Sequence, residues 1–366
     1  MTGGSRTDGT GRGAAGPGEG VGDDVFEVTV DGAAPRVDRW LAQRLPLTRS
    51  RIQGLARDGR LLVDGVPARA STSLRGGEEI RLLVPPPPPS TLQSEDLGLP
   101  ILHLDDDIVV VDKPAGVVVH PAKGHATGTL VHGLLHLLRQ AGGDPARPGI
   151  VHRLDKGTSG TMVVARTPEA LERLAADFSV HALDRHYLAL VWGEPSSDAG
   201  TIDAPIGRHP RDRKRFAVVE GGRRSVTHWA LRGTAALAVP GSRTGGRLSL
   251  IECRLQTGRT HQVRVHLSHL GLPLVGDPVY RGRPRVPPVL QPLLRDLDHP
   301  LLHAWHLGFR HPRTGAWLRF STPPPADYLA IITRCGLAMP DKAGQDLADR
   351  DMHLRPTDSP GSEDPV

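Results

Sequence analysis

Cysteine is nearly missing from this chain of 366 residues: Cys253 and Cys335 are the only two. Two thiols cannot build a disulfide scaffold, and their scarcity suits a reducing compartment, so a cytoplasmic protein is expected. Long apolar runs are missing as well. None approaches the ~20 residues that cross a bilayer, and the opening MTGGSRTDGTGRGAAGPGEG lacks the apolar stretch of a signal peptide. No membrane partner is expected. The chain also has 18 histidines but no His-Glu-x-x-His, no Cys-x-x-Cys and no His-x-Glu with a paired cysteine motif. That argues against a zinc hydrolase or a nucleobase deaminase. His266 with His269, and His303 with His306, have the spacing of one helical face, but no carboxylate or thiolate completes a ligand set. No metal is expected. A P-loop is missing too, and GHATGT (124–129) reads as a structural turn.

What is present is positive charge, +5 formally with a pI near 9.6, carried by 40 arginines and only 5 lysines. A basic chain is compatible with nucleic acid or an anionic surface, and the planar fork of arginine suits phosphate and base edges. Abundant Ala, Gly, Pro, Leu and Val point to GC-rich codons as a source of much of the arginine excess. Position therefore counts for more than number.

Residues 1–23 are Gly-rich and polar and are expected to be a disordered tail; residues 336–366 are expected to be a second, acidic one. Pro85 to Pro89 should form stiff polyproline II and mark a linker over 85–97. Before it, Val37, Trp40, Leu41 and Leu45 share a helical face that Pro46 ends. A second helix carries Ile52, Leu55 and Ala56, capped by Thr48 or Ser50 and stopped at Gly59. LLVDGV and EEIRLLVP read as strands. Ten arginines lie from Arg36 to Arg81 against five acidic residues, and Arg49, Arg51 and Arg57 are spaced to project from the second helix. This module, over 24–84, reads as RNA-binding. Beyond the linker, residues 98–335 alternate Val/Ile/Leu-rich strands with three helical segments. An α+β domain on a mixed, largely antiparallel sheet is expected.

The stretch GIVHRLDKGTSG (149–160) delivers one carboxylate, Asp155, among His152, Arg153 and Lys156. An aspartyl-phosphate signature would read Asp-Lys-Thr-Gly-Thr, and the order here differs. A glycosidase would need a second carboxylate, and none stands within the motif. Cations around a carboxylate favour its charged form, which suits a nucleophile or base acting on a polyanion rather than a general acid. A turn aspartate bonded to the backbone of Thr158 or Ser159 is the alternative without chemistry.

Here the residues carry a resemblance. GIVHRLDKGTSG resembles the signature of the RluA-type pseudouridine synthases. VVDKPAGVVVHP (110–121), RHYLALVWG (185–193) and LQTGRTHQVRVHLSHLGLPLVGDPVYRG (255–282) resemble three further motifs of that family in the same order. RVDRWLAQRLPLTRSRIQGLARDGRLLVDG resembles the alpha-L RNA-binding domain, and the whole chain is similar to the ribosomal large-subunit pseudouridine synthase D group. The resemblance implies a pseudouridine synthase catalytic domain that isomerises uridine in RNA without a cofactor. Asp155 would then be catalytic, Tyr187 would stack on the base and help remove the C5 proton, and Arg264 would pair with Asp155. Arg153 would enter the RNA in place of the flipped uridine. Further RNA contacts are expected at His152, Lys156, Arg259, Arg49, Arg51 and Arg57. The basic stretch 207–225 adds Arg208, Arg213 and Lys214. The expected partner is large-subunit ribosomal RNA, as a stem-loop or in a pre-ribosomal particle, met by a monomeric enzyme. A non-catalytic assembly factor would show an altered aspartate or tyrosine, and a phosphotransferase would need metal and ATP.

Overall fold

The computed structural model describes residues 24–45, 47–85, 92–121, 124–140, 149–212, 215–241, 246–282 and 284–340. The tails 1–23 and 341–366, Pro86 to Pro89, and the proposed RNA contacts Arg213 and Lys214 lie outside them. The chain divides into two compact units, 1–91 and 92–366.

The first unit orders β1 (Asp24–Thr29), α1 (Val37–Ala42), α2 (Arg49–Arg57), β2 (Leu61–Val63), β3 (Val66–Pro67) and β4 (Glu79–Val84). Its sheet runs β1-β4-β2-β3, antiparallel throughout. Trp40, Leu41, Ile52, Leu55, Leu61 and Leu82 form its buried core. The Thr48 hydroxyl accepts the Arg51 N–H at the start of α2. Asp64 and Gly65, both left-handed, turn β2 into β3. The strand β1 was not expected from the sequence.

The second unit holds β5 (Ile101–Leu104), β6 (Ile108–Lys113), α3 (Leu130–Gln140), β7 (Gly149–Ile150), β8 (Ser159–Ala165), α4 (Pro168–Ser179) and β9 (Asp184–Trp192). There follow β10 (Ala199–Asp203), the hairpin β11 (Ile206–Arg208) and β12 (Phe216–Val218), then β13 (Val226–Leu237), β14 (Gly246–Leu255) and α5 (Gln262–His269). After α6 (Gln291–Leu294) come β15 (Leu302–Arg310), β16 (Trp317–Ser321) and α7 (Ala326–Arg334). Ten strands form one sheet in the order β10-β13-β14-β9-β15-β8-β6-β5, with β16 and β7 paired on β15 and β8. Among the described residues only β8 and β15 pair in parallel, so the sheet is mixed and largely antiparallel.

Alternation along β9 divides the core. Tyr187, Ala189 and Val191 enter the cluster on one face, and Leu188, Leu190 and Trp192 the cluster on the other. The first face carries α3 through Leu130 and Leu134 and α5 through Val263 and Leu267, whereas the second carries α7 through Ile331 and Ile332. Two expected boundaries shift. Leu97, assigned to the linker, packs on the first cluster, and Leu337 and Met339, assigned to the tail, pack on the second. His303 and His306 lie on strand β15 rather than on a helix.

The parallel β8–β15 pair is tight. Gly160 has φ +118°, and a Cβ there would lie 2.2 Å from the Ala304 carbonyl oxygen. Only glycine fits. Beside it, the fully buried His303 donates from Nε2 to the Thr322 carbonyl (2.9 Å) and faces the Ser159 hydroxyl through Nδ1 (2.9 Å). Burial brings its pKa down from 6.5 to about 4. The native state therefore keeps His303 neutral while the unfolded chain takes up the proton. Its contribution is present above pH 6.5 and is lost as pH falls toward 4. The slope should be about 1.4 kcal/mol per pH unit. Denaturant unfolding of His303→Gln should show a flatter pH dependence in that window than the native protein; an equal slope would refute the assignment.

Candidate active site

Between β7 and β8 the chain crosses as an irregular loop that presents Asp155. The turn is closed by backbone: the Thr158 N–H donates to the Asp155 main-chain oxygen at 3.0 Å. The carboxylate is thus free of the capping role that the sequence left open. Beneath the loop lies the wholly buried Lys113, from the DKPAG stretch. Its Nζ donates to the carbonyls of Pro114 (2.8 Å), Val117 (2.9 Å) and Lys156 (3.3 Å), and the Gly116 N–H also meets Lys156 O at 2.8 Å. Burial brings the lysine pKa down to about 7, opposed by the charges of Asp155 and Asp112. Lys113 was missed by sequence reasoning, although a lysine closing a strand that opens with four apolar residues was the available signal.

The second approach comes from α5. Arg264 Nη1 donates to Asp155 Oδ2 at 3.1 Å. Its Nε and Nη2 form a fork on Asp277, at 2.7 and 2.8 Å. Asp277 in turn accepts the N–H groups of Val279 and Tyr280. Burial opposes the charge on both partners. Asp277 nonetheless holds the arginine above its ordinary pKa, and Arg264 holds the carboxyl of Asp277 below its own. Asp277 is a further residue that the sequence reading overlooked. The turn before α5 is pinned by Gln262, whose side chain accepts from the Thr257 hydroxyl and the Arg259 N–H and donates to Val226 O. His261, left-handed at φ 58°, sets its Nε2 3.9 Å from Asp155 Oδ2 and bonds Tyr280 Oη through Nδ1 (2.9 Å). Oδ1 of Asp155 has no hydrogen-bond partner among the described residues.

Asp155 and Tyr187 border both a cleft of about 660 Å³ and a recess of about 50 Å³. Arg264, Val263, Leu302 and Leu154 line the recess, Arg185, Phe178 and His181 line the larger cleft, and Arg153 and Arg259 border both. Tyr187 is nearly buried, which raises its phenol pKa. Arg153 and Lys156 are exposed on the loop. His152 is half-buried at the cleft wall; its Nε2 accepts the Val163 N–H (3.1 Å) and its ring stacks on Phe178 at 4.6 Å. Burial, aided by Arg185, brings its pKa down to about 3, which favours a neutral ring that braces the loop. In the first unit Arg49 bonds the fully buried Asp38 at 3.0 Å, which gives it a structural task. Arg51 and Arg57 are exposed, bonded to the carbonyls of Pro85 and Gln53. Arg208 is also exposed and lies over the Phe216 ring at 4.6 Å. Among the described residues, one trio has the donors for a metal: Asp105, Asp107 and His311. Its carboxylates are already engaged, Asp105 by the N–H groups of Asp107 and Ile108, and Asp107 by a fork from Arg313.

A family model described as RNA pseudouridylate synthase matches residues 107–269, and one described as S4 domain matches residues 35–80. The chain is 43% identical over 312 residues to the ribosomal large subunit pseudouridine synthase D of Pseudomonas aeruginosa, spanning 84% of this chain and 94% of that one. It is 48% identical over 303 residues to an RNA pseudouridine synthase of Chloroflexus aurantiacus, across 82% and 90% of the two chains. Among solved structures, human RNA pseudouridylate synthase domain containing 4 superposes with a TM-score of 0.52 at 26% identity, covering 66% of this chain and 95% of that one. An arginine-lined cleft around one carboxylate, in a chain with an S4 module, defines an RNA-modifying enzyme. The chain belongs to the RNA pseudouridylate synthase family, on its RluA-type branch, and is an isomerase that makes pseudouridine from uridine in RNA.

Asp277→Ala should leave Arg264 with one carboxylate fewer in a buried site and cost about 3–5 kcal/mol in denaturant unfolding. Asp277→Asn, which keeps a hydrogen-bond acceptor, should cost less. Equal losses for the two variants would refute that expectation and show that the lost charge, not the lost acceptor, carries the whole cost.

Proposed function

We propose that the chain isomerises uridines of large-subunit ribosomal RNA, with Asp155 as the catalytic carboxylate. The observation that carries this reading is the Arg264–Asp155 pair at 3.1 Å beside Tyr187, at the mouth of a recess within a larger cleft. The name of the relative from Pseudomonas aeruginosa supports the ribosomal target.

In the reaction the N1–C1′ bond of uridine breaks, a C5–C1′ bond forms, and the proton lost from C5 is balanced by one gained at N1. No atom enters or leaves. Arg264 holds Oδ2 of Asp155, which leaves Oδ1 to act at the ribose, either on C1′ as a nucleophile or on a ribose proton en route to a glycal. A base stacked in a duplex cannot reach such a recess, so the uridine is flipped out. Arg153, exposed at the cleft rim, fills the space left in the RNA. Tyr187 stacks on the freed base and assists removal of the C5 proton. Arg259 and Lys156 contact the RNA backbone near the cleft, and Arg208, Arg213 and Lys214 do so from the basic stretch around β11 and β12. Residues 24–84 form the docking module, with Arg51 and Arg57 toward phosphate and Arg49 contributing mainly to the module's own packing. Residues 97–339 form the catalytic unit. The enzyme works as a monomer in the cytoplasm, on a stem-loop or a pre-ribosomal particle.

Pseudouridine maps of cellular RNA with and without the gene test the reading, together with the Asp155→Asn variant. Both should lose the same sites, and unchanged maps would sink it. Arg264→Ala should lose turnover far more than RNA affinity. Deleting residues 1–90 should weaken binding and give it a shallower salt dependence, with turnover retained at saturating RNA. An equal turnover loss in the truncation would refute that division of labour.

A further inference from the structure

The buried and half-buried arginines of the second unit differ in one respect. Arg264 is held by two carboxylates, and Arg232 is paired with Glu252. Arg185, on β9 two residues before Tyr187 and on the same sheet face, is only 7% exposed. Among the described residues no carboxylate is paired with it and its buried Nε has no hydrogen-bond partner. Its contacts are a long bond from Nη2 to Leu255 O (3.5 Å) and the Phe178 ring, 5.8 Å from Cζ. A guanidinium stays protonated in proteins, and burying an unpaired charge is costly. The fold keeps this one in place without supplying the anion.

Its surroundings are built around that charge. Arg185 lines the larger cleft with Arg153, Arg259 and Asp155. Asp155 is the only carboxylate among those lining residues, and its Oδ2 is already taken by Arg264. A Cβ at Gly258 would come within 3.0 Å of Arg185 Nη1, so the absence of a side chain in the Thr257–Arg259 turn preserves room for the guanidinium. The neighbouring rings of His152 and His181 are both biased toward their neutral forms, first by burial and then by Arg185, so the arginines supply the cleft's positive charge.

We infer that Arg185, with Arg259, seats a phosphodiester of the RNA next to the flipped uridine. The inference rests on the reading that the RNA enters this cleft toward Asp155. A phosphate is favoured over the base itself for two reasons. Arg185 does not line the small recess of Arg264, Val263 and Leu302 that would take a base. A uracil ring also has no net charge to neutralise, whereas a phosphodiester carries a full negative charge in a shape that matches the guanidinium fork. A buried cation of this kind holds the backbone of the extruded nucleotide where solvent and salt screen it least.

The test compares the native enzyme with Arg185→Gln and Arg185→Lys on a target stem-loop. The loop carries either natural linkages or a single uncharged methylphosphonate beside the target uridine. Arg185→Gln should bind the natural RNA about ten- to a hundredfold more weakly, with the slope of log K against log salt shallower by about 0.7 to 0.9. One methylphosphonate position should weaken the native enzyme by a similar factor and leave Arg185→Gln indifferent. Arg185→Lys should fall between. Arg185→Gln should also be no less stable to denaturant than the native protein, because it removes an uncompensated buried charge. If it keeps the native salt slope and the native sensitivity to methylphosphonate, or loses turnover with unchanged affinity, the phosphate seat is wrong. A native enzyme that makes no pseudouridine on the RNA it binds would instead overturn the reading of function.

Discussion

The arrangement of this site depends on a single guanidinium that the fold buries. Arg264 is 5% exposed, and a charge so placed must be neutralised by groups that cannot move away. Asp277 takes two of its nitrogens, and is fixed by two backbone N–H groups of its own. The remaining nitrogen faces Asp155, so the carboxylate is held by the far end of a rigid chain of bonds. A helix, the turn after it and the Asp155 loop are therefore locked to one another through charge. A carboxylate held in this way is preorganised, because its position does not depend on rearrangement of its partners.

The other support for Asp155 comes from below. Lys113 joins its own loop to the carbonyl of Lys156 across 43 residues of sequence, and Gly116 adds a second bond to the same carbonyl. Gly160 closes the far end by letting β8 and β15 approach more closely than any side chain would permit. The loop between β7 and β8 is irregular, yet it is held at its base and at its exit. The strand β9 then uses its alternation to separate tasks, giving Arg185 and Tyr187 to the cleft face. On the opposite face His186 lies between Asp184 and Glu252, at 2.7 and 2.6 Å.

Much of this was legible from residue order. Helical periods marked α1, α2, α3, α4 and α5, and the Val/Ile-rich runs marked β6, β8, β9 and β14, because those patterns follow from which side chains a helix or strand can bury together. Where reading failed, the cause is physical. The spacing of His303 and His306 fits a helix as well as a bulged strand, and only pairing with β9 and β8 decides between them. His152 looked cationic beside Arg153 because sequence does not tell which side chains turn inward. The packed residues Leu97, Leu337 and Met339 were assigned to linker and tail because single apolar residues in polar surroundings carry no periodic signal.

The sequence by itself determined that the chain is a mixed-sheet enzyme with a separate arginine-rich module and one candidate carboxylate, Asp155. Local pattern and motif order are properties of neighbouring residues and survive without coordinates. Tertiary structure alone decided the partners of charge. Asp277 stands 13 residues from Arg264, and Asp155 stands 109 away, and nothing local says that one guanidinium serves both. Nor does any local signal say that Arg185 is buried without a counter-charge. Electrostatic pairing is set by distance and burial in the folded molecule, and those quantities do not exist until distant segments meet.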